Sequence, residues 1–79
     1  MVTVRYWAGA RAAAGRPEEA VEAATVGELL GVIGTNAALA RVLSASSLLV
    51  DGTAVHRDDA ARPLPAGAVV DVLPPFAGG

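Results

Sequence analysis

The sequence predicts an α+β domain in which a mixed sheet of four to five strands packs on one main helix. Three observations predict it. Val2 to Ala8 near the start and Ala68 to Leu73 near the end both read as strands. Between them, Val26, Leu29, Leu30 and Ile33 recur at i, i+3, i+4 and i+7, the spacing of one helix face. Two further apolar runs flank Asp51-Gly52, a strong signal for a tight hairpin. The 79 residues make one domain, taken as residues 1–73, followed by an extended tail, 74–79.

The first strand is expected from Val2 to Ala8, with Val2, Val4 and Tyr6 on the core face. Thr3, Arg5 and Trp7 then face the other way. Trp7 is the chain's single Trp. It is either covered by its own loops or left for a partner. Residues 8–15 are alanine-rich, include Arg11 and suit a short helical turn that stops at Gly15. The stretch from Pro17 to Ala24 is ambiguous. A proline at the first position and acids in the first turn favour a helix. The alternation of Ala20, Glu22 and Ala24 with Val21 and Ala23 suits an edge strand equally.

The main helix is expected to start at Thr25, because Thr25-Val26-Gly27-Glu28 matches a capping box, and to stop at Gly34. Gly27 and Gly31 each weaken it by about 1 kcal/mol relative to Ala, so packing must hold it. Asn36 can cap a second short helix, Ala37 to Leu43. Ser47 to Val50 and Thr53 to Val55 form the hairpin arms. Residues 56–66 form a loop with Pro63 and Pro65. His56 lies near Asp58 and Asp59, but a metal site needs three or four convergent ligands, and a solvated loop explains these residues. In the last strand, from Ala68 to Leu73, Val70 and Val72 face the core. Val69, Asp71 and Leu73 face out. If the first and last strands are neighbours, Trp7 and Leu73 form one exposed apolar patch where the tail departs.

Composition removes several function classes. The absence of Cys excludes disulfides, thiolate metal sites and thiol nucleophiles. The formal charge is −2 and the six basic residues are scattered arginines, which argues against nucleic acid as a partner. No apolar run approaches a membrane span, and the first residues do not resemble a signal peptide, so a cytoplasmic location is expected. The absence of Lys leaves no side chain that could accept an isopeptide bond. Codon bias toward Ala, Gly, Arg and Val explains the missing Lys as well as any functional cause does.

The tail, Pro74-Pro75-Phe76-Ala77-Gly78-Gly79, has the form of an arm that reaches into a partner. Each proline fixes φ and cannot donate a hydrogen bond, so the pair leaves the sheet as a stiff extended segment. Six residues span roughly 20 Å. Phe76 can set the depth of insertion. Gly78 and Gly79 let a narrow channel close on bare backbone. Ordering the four residues after the prolines costs on the order of 4–8 kcal/mol, which a partner must offset. The alternative is a frayed terminus rich in glycine.

Over essentially its whole length the chain resembles the small, sulfur-carrying subunit of molybdopterin synthase, the MoaD family. The residues that carry the resemblance are Val2 to Ala8, Arg11, the Thr25-Val26-x-Glu28-Leu29 helix entry and Leu49-Val50-Asp51-Gly52. Leu64-x-x-Gly67 and, most specifically, Pro74-Pro75-x-x-Gly78-Gly79 complete it. The family favours Asn where this chain has Asp51. The resemblance implies a β-grasp, ubiquitin-like fold with the termini in central strands, and it makes Pro17 to Ala24 a strand. It also implies a cycle. A ubiquitin-activating-like adenylyltransferase adenylates the Gly79 carboxylate with ATP, and a sulfurtransferase supplies sulfur to give a thiocarboxylate. The tail then enters the large synthase subunit and donates sulfur to a cyclic pyranopterin. The chain is not an enzyme alone and binds no cofactor or metal. Gly79 and Gly78 are its chemical end. Trp7, Arg11, Leu73, Pro74, Pro75, Phe76 and Ala77 are its candidate partner contacts. Carriers for thiazole or cysteine synthesis and a plain ubiquitin-like binding module are the alternatives.

Overall fold

The computed structural model describes residues 1–75. The hydrophobic alternation at the N-terminus produces β1 (Val2–Tyr6), whose inward residues Val2, Val4 and Tyr6 are all buried. The strand stops two residues before the expected Ala8. Trp7 instead caps α1 (Ala8–Ala14), and Ala8 takes φ 47, so the chain turns sharply there. Arg11 lies exposed on this helix, and Ala10 enters the core. Gly15, in the left-handed region, returns its N–H to the Arg11 carbonyl at 3.0 Å and ends the helix.

The ambiguous stretch forms a strand, β2 (Glu18–Val21), antiparallel to β1. Two contacts outweigh its helix propensity. Val21 is buried in the core, and the Tyr6 hydroxyl donates to the Glu19 carboxylate at 2.6 Å. Burial first, and then that carboxylate, push the Tyr6 hydroxyl well above its ordinary pKa.

The predicted capping box forms at α2 (Val26–Ile33): the Thr25 hydroxyl accepts from the Glu28 N–H at 3.2 Å. The return bond from the Glu28 carboxylate is to the Ala24 N–H, one residue earlier than expected. Gly27 has a packing reason. A Cβ there would stand 3.0 Å from both the Cβ and the carbonyl oxygen of Ala60, where the loop runs against the helix entry. Gly34 ends α2 without a left-handed turn, at φ −72, and a Cβ would collide with the Leu30 carbonyl at 2.6 Å. Asn36 caps α3 (Ala37–Leu43) through the Leu39 N–H, as its side-chain chemistry predicts.

The hairpin joins β3 (Ser47–Val50) to β4 (Thr53–Val55). Asp51 and Gly52 both have positive φ, the requirement of the tightest hairpin turn. Asp51 is also tied to the last strand, β5 (Val69–Leu73). Its side chain accepts from the Val69 N–H at 2.9 Å, and its own N–H donates to the Val69 carbonyl at 2.8 Å. The amide oxygen of an Asn would accept the same bond.

The sheet order is β2-β1-β5-β3-β4. β1 and β5 are parallel and central, and every other pairing is antiparallel. One face carries the core. Val2, Val4, Tyr6, Leu48, Val50, Val70 and Val72 meet Ala10, Val26, Leu29, Ile33 and Leu39 from the helices. Each large side chain buried in this way contributes about 1.5–3 kcal/mol. The helical layer is therefore shared among three short helices rather than carried by α2 alone. Among the described residues no helix is long and apolar enough to cross a membrane.

Candidate functional site

Because β1 and β5 are parallel neighbours, their C-terminal ends meet at one end of the sheet. Tyr6 pairs with Val72, so Trp7 and Leu73 follow side by side, and the Trp7 N–H donates to the Val72 carbonyl at 3.3 Å. Trp7 is 43% exposed, the most exposed aromatic residue of the described chain, and Leu73 is half-buried. Arg11 follows Trp7 by one helical turn, and its N–H donates to the Trp7 carbonyl. Pro75 is exposed. Pro74 is buried, so in the free chain its ring is not available to a partner. The structure thus brings Trp7, Leu73 and Pro75 to the point where the chain leaves the sheet, and Arg11 lies exposed one helical turn beyond Trp7. Phe76, Ala77, Gly78 and Gly79 lie outside the described residues.

Asp71 departs from expectation. Strand alternation places it on the outer face, as predicted, but it is buried, with only 7% exposure. Two side chains roof it. Arg5, its partner across the β1–β5 ladder, donates through Nε to Oδ1 at 2.7 Å and through Nη2 to Oδ2 at 3.4 Å. The Trp7 indole N–H donates to the same Oδ1 at 2.9 Å. The Arg5 guanidinium also lies 5.6 Å from the centre of the indole ring, within cation–π range. Burial acts to raise the Asp71 pKa. The hydrogen bonds from Arg5 and Trp7 and the charge of Arg5 together outweigh it, so the carboxyl lies below its ordinary value and stays ionised. No buried side-chain polar atom among the described residues lacks a partner.

The sequence reading assigned no role to Asp71 or Arg5. The signal was present: an acid inside Val-Val-Asp-Val-Leu needs a cation on the adjacent strand, and Arg5 and Trp7 share its face. The loop acids behave differently. His56 Nδ1 accepts from the Asp58 N–H at 3.1 Å, and among the described residues no group of three metal-ligating side chains converges.

The model of the ThiS family matches residues 4–79. The chain belongs to the ThiS family. Comparison with curated protein sequences gives no match. Solved structures do resemble this ThiS-family chain. SAMP1 from Haloferax volcanii superposes with a TM-score of 0.81 at 26% identity, covering 99% of this chain and 98% of its own. A Pyrococcus furiosus protein assigned as subunit 1 of molybdopterin converting factor gives 0.80 at 29% identity, covering 95% and 97%. A chain of the Helicobacter pylori complex of subunits 1 and 2 of molybdopterin-converting factor gives 0.78 at 22% identity, covering 99% and 97%, a likeness of fold alone. The ThiS-family chain therefore has the β-grasp fold of the ubiquitin-like sulfur carriers.

Proposed function

We propose that this chain is the sulfur carrier of molybdopterin synthesis, acting in the cytoplasm as the small subunit of the synthase. The observation that carries the sulfur-carrier reading is the family match over residues 4–79, which includes Gly78-Gly79. The likeness to a molybdopterin converting factor subunit 1 at 29% identity supports this acceptor. In this reading an adenylyltransferase joins the Gly79 carboxylate to the α-phosphate of ATP and releases pyrophosphate. A carboxylate is a poor acyl donor until this is done. A sulfurtransferase persulfide then displaces AMP to give an acyl disulfide, and a thiol of that partner cleaves the S–S bond, leaving a disulfide on the partner and a thiocarboxylate on Gly79, a nucleophile that needs no Cys in this chain. The tail delivers it to a pyranopterin precursor inside the large subunit. ATP is a substrate of the activating partner and not a cofactor of this chain.

Trp7 and Leu73 fit the role of docking residues, since both stand at the base of the tail. The complex of subunits 1 and 2 in Helicobacter pylori supports a large-subunit partner. The likeness to SAMP1, a small archaeal modifier protein, favours a second reading in which a protein amine intercepts the activated Gly79.

The test is the intact mass of the protein isolated from its host. The expected result is a mass gain equal to sulfur replacing oxygen at Gly79. Deleting Gly79 is expected to abolish sulfur transfer and leave melting unchanged. Retained transfer by that variant would falsify the carrier mechanism, and recovery of Gly79 only in amide linkage to other proteins would select the modifier.

A further inference from the structure

A carboxylate buried on the outer face of a sheet is an expensive way to fill space. An apolar residue of similar volume at position 71 would stabilise the sheet as well or better, because desolvation of an ion pair offsets its attraction. A carboxylate provides direction, and here the direction is toward Trp7. Oδ1 accepts the indole N–H at 2.9 Å, and the guanidinium that pairs with the carboxylate lies over the indole ring. The backbone of Trp7 is held as well. Its N–H donates to Val72, and its carbonyl accepts from Ala10 at 2.9 Å. Ala8 adopts an uncommon positive φ immediately afterwards. Edge, face and backbone of the indole are thus all fixed, although the residue is 43% exposed. A surface aromatic with no task has no need of three restraints.

We propose that Asp71 is a positioning residue: its carboxylate, set by Arg5, locks the Trp7 indole in the orientation that the partner meets. This rests on the reading of Trp7 as a docking residue. Pre-ordering the indole removes the entropy that docking would otherwise cost. That is worth roughly threefold to tenfold in affinity for one immobilised side chain.

The single Trp makes the intrinsic fluorescence of the protein a direct reporter of this indole. The experiment measures the anisotropy decay of Trp7 and affinity for the large subunit of molybdopterin synthase from the same host. It compares the wild type with Asp71→Leu, Asp71→Asn, Trp7→Ala and Trp7→Phe. Asp71→Leu is expected to add a fast component to the decay and to weaken binding about threefold to tenfold. Asp71→Asn keeps an oxygen for the indole N–H and is expected to retain most of both properties. In a Trp7→Phe background, Asp71→Leu is expected to change affinity by less than about twofold, because the bond it removes is already gone. Should Asp71→Leu fail to fold, Asp71→Ser, which is too short to reach the indole, carries the same comparison.

An indole as rigid in Asp71→Leu as in the wild type overturns the proposal, as does an equal loss of affinity in the Trp7→Phe background. A freed indole with unchanged affinity, while Trp7→Ala still weakens binding, overturns the positioning role and leaves the docking reading intact. Unchanged affinity for Trp7→Ala overturns the docking reading itself, and the positioning role with it.

Discussion

The two faces of the sheet obey different rules although they share the same strands. The inner face is uniformly apolar, and Val4, Val70 and Val72 are completely buried there. The outer face of the same two strands carries Thr3, Arg5, Asp71 and Leu73, with Trp7 laid across them. Val70 and Asp71 are adjacent, and both are buried, but by opposite means. Val70 is covered by other apolar residues, and Asp71 by two hydrogen-bonding side chains that remain partly in water. The first arrangement makes the fold. The second makes a surface whose shape depends on a few directed bonds, as a specific contact requires.

Exchanging the character of one position should break the comparison most severely. Val70→Asp places an unpaired carboxylate on the inner face, at a cost of several kcal/mol against a total stability of about 4–12 kcal/mol for a domain of this size. It is expected to abolish the folded circular dichroism spectrum at neutral pH. A next-largest effect should fall on binding rather than folding. Trp7→Ala or Leu73→Ala removes an apolar contact worth about 1.5–3 kcal/mol if the partner buries it, a tenfold or greater loss of affinity. Titration with the large subunit reads the loss, and unchanged affinity in both variants would remove the outer face from the interface.

Arg5→Ala sharpens the contrast by leaving Asp71 with one donor. A loss of stability in urea unfolding is expected at pH 7, since a buried acceptor is left partly unsatisfied. The sign with pH is definite. In the wild type the folded-state pKa of Asp71 is depressed below its ordinary 3.8. Its contribution is therefore present above that value and is lost as pH falls through the folded-state pKa. In the variant the lowering by Arg5 is lost, so the folded-state pKa lies above that of the wild type and acid relieves the difference. The gap between the two proteins should narrow between pH 7 and pH 3. A gap of constant size would show that the carboxylate is hydrated rather than held. The smallest effect is expected at Ala8→Gly. Relief of the positive φ and the greater entropy of the unfolded glycine nearly cancel, leaving a melting shift equivalent to less than about 1 kcal/mol.

The difference between the faces also sets what was legible in the sequence. Burial of Val2, Val4, Tyr6, Val70 and Val72 follows from alternation alone, because every pairing consistent with it buries the same residues. The Thr25 and Asn36 caps and the Asp51-Gly52 turn were equally legible, since each rests on local chemistry. Glu18 to Val21 was not, because its strand state is decided by Tyr6 and by the core around Val21. The base of the tail was half legible. Strand parity put Trp7 and Leu73 on the outer face, but left open whether the indole was covered and whether the two strands were neighbours. The bond from its indole to Asp71 joins residues 64 apart in sequence and needs the register of β1 on β5, which no local pattern contains.

The register of β5 between β1 and β3 has a consequence for how the chain folds. Without β5, β1–β2 and β3–β4 are two separate two-stranded pairs, each too small to be stable in water. The strand that joins them follows the other four in the described chain, and its contacts with β1 span most of that length, which makes folding slow relative to a helical protein of the same size. The sheet therefore closes only when residues 69–73 are present, and those residues immediately precede the tail. A chain cut before residue 69 therefore has no closed sheet and holds only two loose strand pairs.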